Sequence, residues 1–152
     1  MIKRIFILLF ILLASCKTQE VQECNINLYD GITLEWGYYI SKLNKSEYYS
    51  LSNNQIINHN LKIDNNTNIL SQIKISKNLN CYILSKATNL FLKTQTLNVP
   101  ADSNHYMIYR NNKSGVELRF LWNPLHTNKG NQEFKELYQE FNTLIIEKES
   151  QK

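Results

Sequence analysis

Glycine and proline are scarce, with 4 and 2 among 152 residues. So few glycines exclude a Gly-rich phosphate loop, whose backbone must approach an anion closely. No G-x-S-x-G turn occurs, which excludes a serine nucleophile of the kind set on a sharp strand-to-helix elbow. The 3 histidines, His59, His105 and His126, never fall at H-E-x-x-H spacing, and the 3 cysteines form no C-x-x-C. Neither a metal nor a cofactor is therefore expected. Basic residues (17) exceed acidic ones (13) by little and form no run, so charge points to no nucleic-acid partner. Nor is there an apolar run of the ~20 residues that a membrane-spanning helix requires.

What the chain does have is a short apolar run at its start. Lys3 and Arg4 precede ten residues, Ile5 to Ala14, without a polar side chain. That charge pattern and length fit the core of an export signal. The next residues, Leu13-Ala14-Ser15-Cys16, resemble the lipobox of bacterial lipoproteins. The resemblance implies cleavage between Ser15 and Cys16, a diacylglyceryl group on the Cys16 thiol and acylation of the new amine. At ~0.8 kcal/mol per buried methylene, two or three chains hold a protein on a membrane where one leaves it exchanging. Lys17 in place of an aspartate after the cysteine points, within such lipoproteins, to the outer membrane. The expected location is thus the bacterial cell envelope, lipid-anchored.

Cleavage leaves 137 residues, with 15 basic against 13 acidic once Lys3 and Arg4 are gone. This is a single-domain length, able to bury roughly two-thirds of its unfolded surface. The expected organisation is a signal peptide at 1–15, a lipidated cysteine and tether at 16–25, one domain at 26–147 and a polar tail at 148–152. With Cys16 lipidated, Cys24 and Cys81 remain, either as a disulfide formed in an oxidising compartment or as two unrelated thiols. Closing about 57 residues would stabilise by about 4 kcal/mol in the chain-entropy treatment.

Periodicity places the elements. Ile32, Leu34, Trp36, Tyr38 and Ile40 alternate with Thr33, Glu35, Gly37, Tyr39 and Ser41, the period of a half-buried strand. A second strand is expected at Glu47 to Leu51 and a short third at Ile56-Ile57, with a polar loop over Asp64 to Asn68. Ile69 to Ile75 reads as a strand or as a lead-in to a helix from about Lys77 to Lys93, capped by Ser76. Leu79, Ile83, Ala87, Leu90 and Phe91 form its apolar stripe, with Cys81 on the far flank. After an extended Leu97 to Pro100, a hairpin is expected from Asn104 to Arg110 and Val116 to Trp122, turning at Asn111 to Gly115. A last helix from about Gln132 to Glu147 carries Phe134, Leu137, Tyr138, Phe141, Leu144 and Ile145 on one side. The order β-β-(β)-α-β-β-α predicts an α+β domain, an antiparallel sheet of about four to five strands packed on one face by two helices.

Pro100, Asn104-His105-Tyr106-Met107-Ile108, Phe120-Leu121-Trp122-Asn123-Pro124, Leu137-Tyr138 and Leu144-Ile145 together resemble the closing half of small uncharacterised Bacteroidetes lipoproteins. The likeness spans about 45 residues plus the lipobox, and that family lends no activity. The layout is also loosely similar to emfourin-type peptidase-inhibitor domains, without a residue motif that carries inhibitory contacts across.

Two function classes follow. The favoured one is a non-enzymatic envelope lipoprotein that binds a protein or peptide, as an inhibitor or accessory module. The other is a small envelope hydrolase with an unrecognised site. Glu35 beside Trp36 and Tyr38 is superficially a sugar cleft, but glycoside hydrolysis usually needs a second carboxyl group and none is marked. For the binder, alternation is read as turning Tyr106, Ile108, Val116, Leu118, Phe120 and Trp122 toward the helices. Tyr39, His105, Met107, Tyr109, Arg119 and Leu121 then share the opposite face, either as a partner-binding surface or beneath the Asn53 to Asn68 region folded over them as a second small core.

Overall fold

The computed structural model describes residues 24–94, 103–125 and 129–150. Ser15 and Cys16 of the lipobox-like stretch, the Leu97 to Pro100 segment and His126 lie outside the described residues. The domain is α+β, an open antiparallel sheet of six strands with two helices. The strands are β1 (Ile32–Ile40), β2 (Lys45–Leu51), β3 (Ile56–Ile63), β4 (Asn66–Lys74), β5 (Ser103–Asn111) and β6 (Val116–Trp122). The helices are α1 (Lys77–Lys93), between β4 and β5, and α2 (Gln132–Glu149), after β6. Across the sheet the order is β4-β3-β2-β1-β5-β6, so β1 is interior and β4 and β6 are the edges.

The four to five strands expected from the sequence become six because β3 and β4 are full strands joined by a tight turn at Asp64 and Asn65. Asp64 takes a left-handed conformation there, with φ 54°, which an aspartate tolerates better than most residues. Both strands carry polar residues on both faces, and much of β4 is exposed. The alternation that betrays a half-buried strand is therefore missing. Helix α1 starts where the sequence places it, the Ser76 hydroxyl accepting from the Leu79 N–H at 3.2 Å. Helix α2 runs two residues beyond the expected Glu147.

One face of the sheet builds the core. Trp36 is fully buried between Phe141 and Tyr49, with ring centroids 5.5 and 5.7 Å away. Phe91 of α1 stacks on Tyr109 at 5.7 Å and meets Phe134 of α2 edge-on at 5.1 Å. Phe134 in turn stacks on Phe120 at 3.8 Å. Both helices thus cover the face that carries Leu34, Trp36, Met107, Tyr109, Phe120 and Trp122. Each large side chain buried there contributes about 1.5–3 kcal/mol relative to exposure.

This packing corrects the face assignment on β5. Met107 and Tyr109 lie in the core, 0% and 3% exposed, and are not on the uncovered face. The reason is the hairpin register. Asn111 pairs with Val116 across the turn residues Asn112 to Gly115, and this pairing puts odd-numbered residues of β5 opposite even-numbered residues of β6. Directly paired residues share a face, so Met107 goes with Phe120 and Tyr109 with Leu118. Tyr106 and Ile108 turn the other way, with Leu121 and Arg119.

Cys24 and Cys81 form a disulfide with Cα atoms 6.0 Å apart, within the usual range for such a bond. It ties the chain just before the short helical turn Ile26–Tyr29 to the first turns of α1, where Cys81 is 7% exposed.

Candidate functional site

The uncovered face is built from the residues that β1 turns away from the core. Gly37 is the centre, paired with Tyr48 of β2 on one side and Tyr106 of β5 on the other. A Cβ at this position would run into the Glu47 carbonyl oxygen and into Cα and Cβ of Tyr48, so only glycine permits β2 to close in here. With no side chain between them, the Tyr48 and Tyr106 rings come to 6.5 Å, centroid to centroid. Burial raises the pKa of both phenols, and the Glu35 charge adds to the effect. Both hydroxyls therefore stay protonated at neutral pH.

Beside the tyrosines runs an ion-pair ladder across β1, β5 and β6. Arg110 binds Glu35 at 2.5 Å and Glu117 at 2.6 Å, and Arg119 binds the other oxygen of Glu117. Burial opposes the Arg110 charge, but its hydrogen bonds to Glu35 and Glu117 prevail and raise its pKa. Glu117 moves the opposite way, held below the usual carboxylate range by hydrogen bonds from Arg110 and then Arg119. The network fixes the side chains over their strands.

At the far end of this face lies a cavity of about 360 Å³, lined by Tyr39, Asn44, Ser46, Lys62, Asp64, Asn65, Tyr106, Ile108, Arg119 and Leu121. Lys62 on β3 and Arg119 on β6 stand four strand spacings apart, about 19 Å in a flat sheet. That they line one cavity means the face is concave. Its wall is the β3-β4 turn, fastened to the β1-β2 connection by two hydrogen bonds. Asn44 Nδ2 donates to Asp64 Oδ1 at 2.9 Å, and the Asp64 N–H donates to the Asn44 carbonyl at 3.0 Å. Asn44 takes the left-handed conformation that this turn needs, with φ 43°, and its side chain also accepts from the Tyr39 hydroxyl at 3.3 Å.

Of the residues the sequence assigns to a partner surface, Tyr39, Arg119 and Leu121 meet in this groove. Met107 and Tyr109 are core residues, as shown above. His105 is on the helix side too, half-buried, stacked on Tyr138 at 4.7 Å and edge-on to Trp122 at 5.8 Å. Burial lowers its pKa, as does the charge of Lys135. Tyr106 and Ile108 take their places in the groove, and the length of the β5-β6 turn is the signal that distinguishes the two sets. Lys62, Asp64 and Asn65 carry no sequence signal, since they arrive through the pairing of β3 with β2, Lys62 opposite Ser46, and through the Asn44–Asp64 hydrogen bonds.

A second cluster lies on the helix side. The Tyr38 hydroxyl donates to Glu47 Oε2 at 2.5 Å, and His59 Nε2 sits 3.0 Å from Glu47 Oε1, its ring stacked on Tyr49 at 4.6 Å. These groups border a cavity of about 290 Å³ closed by Tyr138, Asn142 and Ile146. The hydrogen bond to Glu47, with burial, pushes Tyr38 up to about 12. Glu47 is held low by the Tyr38 hydroxyl, against burial and helped by His59. A carboxylate fixed as the anion is a poor general acid, and the cavity lining includes no serine, threonine or cysteine to serve as nucleophile.

Glu35, weighed above as part of a sugar cleft, stands on the opposite face from Trp36 and Tyr38 and is held by Arg110. Among the described residues no three His, Cys, Asp or Glu side chains gather as metal ligands, and no helix is long and apolar enough to cross a membrane. No protein-family model and no curated protein matches this chain.

Proposed function

We propose that this chain is a bacterial envelope lipoprotein, anchored through lipid on Cys16, whose domain binds a protein or peptide partner without catalysing a reaction. The observation that supports the reading is the concave face of the sheet, opposite the one that α1 and α2 cover. Tyr39, Tyr106, Ile108 and Leu121 supply aromatic and aliphatic surface there, beside an ion-pair ladder that ends in the exposed Arg119. Sheets with one bare face normally keep it polar, so apolar groups beside a fixed arginine suit protein recognition. In this role the module acts as an inhibitor or an accessory subunit, and Lys17 after the anchor favours the outer membrane.

Two experiments separate anchor from binding. Fatty-acid analogue labelling marks the wild type, while Cys16→Ser loses both the label and membrane fractionation; an unlabelled variant that stays on the membrane refutes the anchor. A soluble domain starting near Lys17 captures its partner from envelope extracts, and Leu121→Asp with Arg119→Glu abolishes capture without loss of folding. Undiminished capture by that variant removes the groove as the binding surface.

The competing reading, a small envelope hydrolase, rests on Tyr38, Glu47 and His59. It requires turnover that His59→Ala abolishes, and the Tyr38 hydroxyl, which holds Glu47 below the usual carboxylate range, argues against Glu47 as its general acid.

A further inference from the structure

The two edges of the sheet differ in a way that selects how a partner would bind. On β4 the pairing with β3 is broken by a register shift between His59 and Asn60, the irregularity that commonly spoils an edge for further pairing. On β6 the register with β5 runs unbroken from Asn111–Val116 to His105–Trp122. This regular edge also borders the groove, because Arg119 and Leu121 are its residues that point into the concave face. The partly buried Leu118 flanks the same edge on the helix side.

Charge narrows the ligand. Within the ladder Arg110 lies between two carboxylates and Glu117 between two guanidinium groups. Arg119 is the terminal member, bound to one carboxylate and 60% exposed. Lys62 faces it from the other rim of the groove. Each rim therefore carries a cation, Lys62 beside the Asp64 carboxylate on one and the exposed Arg119 on the other.

We propose that an extended peptide segment of the partner adds as a further strand along the outer edge of β6, with an acidic residue opposite Arg119 and an apolar residue opposite Leu121. Strand addition gives affinity through backbone hydrogen bonds, and the alternate side chains give specificity through the surface beside the edge. An acidic residue across from Arg119 forms the opposite-charge cross-strand pair that sheets favour. The inference rests on the partner-binding reading above and specifies its mode.

The probe is a synthetic, end-capped nine-residue peptide in which valine and threonine alternate and the central valine is replaced by aspartate. Titrated into the mature protein and followed by amide NMR and hydrogen exchange, it should protect amides of β6 and leave those of β4 unchanged. The lysine version should bind at least ten-fold more weakly, and Arg119→Glu should reverse that preference. Methylating the peptide nitrogens that face β6 should abolish binding. Binding that tolerates N-methylation, or that maps to β4, overturns strand addition at β6 while leaving the groove as a partner surface. No binding at millimolar peptide overturns the proposal, and so does a concentration-dependent dimer formed through β6, which would assign the edge to a second copy of this chain.

Discussion

Replacing Met107 and Leu121 by alanine, one at a time, separates the two faces of the sheet. Met107 is 0% exposed and belongs to the core cluster with Trp36 and Phe120, whereas Leu121 is only partly buried and lies in the groove. Truncating a fully buried methionine removes its transfer free energy and leaves a cavity, at a cost of about 2–5 kcal/mol. A partly buried side chain outside the core costs about 1 kcal/mol or less. With a urea dependence near 2 kcal/mol per molar for a domain of this size, Met107→Ala should lower the midpoint by about 1.5 M and Leu121→Ala by at most about 0.5 M. Equilibrium unfolding followed by tryptophan fluorescence reports both, since Trp36 and Trp122 are buried. Equal shifts, or a larger one for Leu121, would refute the assignment of faces and with it the composition of the groove.

Opening the disulfide by Cys24→Ser with Cys81→Ser should lower stability by up to about 4 kcal/mol, the loop-entropy value for a separation of 57 residues. Thiol counting on protein taken directly from cells without reductant should find neither cysteine free. The pH dependence tests the Tyr38, Glu47 and His59 cluster. Because the folded pKa of Glu47 lies below its ordinary 4.5, its contribution is present above that value and is lost as pH falls through the folded pKa. Tyr38→Phe removes the leading cause of the shift, so the variant should lose less stability than the wild type between about pH 5 and pH 3. Parallel urea midpoints for the two proteins would contradict the hydrogen bond.

Where one face of an element is buried, its sequence periodicity is plain. The alternation of β1, the stripe of α1 and the Ser76 cap all correspond to elements of the fold. The β3-β4 hairpin did not announce itself, because strands with polar residues on both faces lack a period to read. The groove was legible in part. Tyr39, Arg119 and Leu121 could be placed because their own strands alternate cleanly. His105, Met107 and Tyr109 were misplaced because β5 has large apolar or aromatic residues on both faces, and only the turn length relates its parity to that of β6. The wall made by Lys62, Asp64 and Asn65 depends on the pairing of β3 with β2 and on the Asn44–Asp64 contact, which local sequence does not encode. The disulfide partners were countable from the sequence, yet their proximity comes from packing between the turn at Ile26–Tyr29 and α1.

Site-specific photo-crosslinking in living cells tests most directly whether the concave face is where a partner binds. A photoreactive residue is placed at Leu121 in the groove or at Asn89 on the exposed surface of α1, in the full-length chain. A discrete adduct from Leu121, absent from Asn89 and lost on adding Arg119→Glu, is the predicted result. Adducts from Asn89 alone, or equal adducts from both positions, would contradict it.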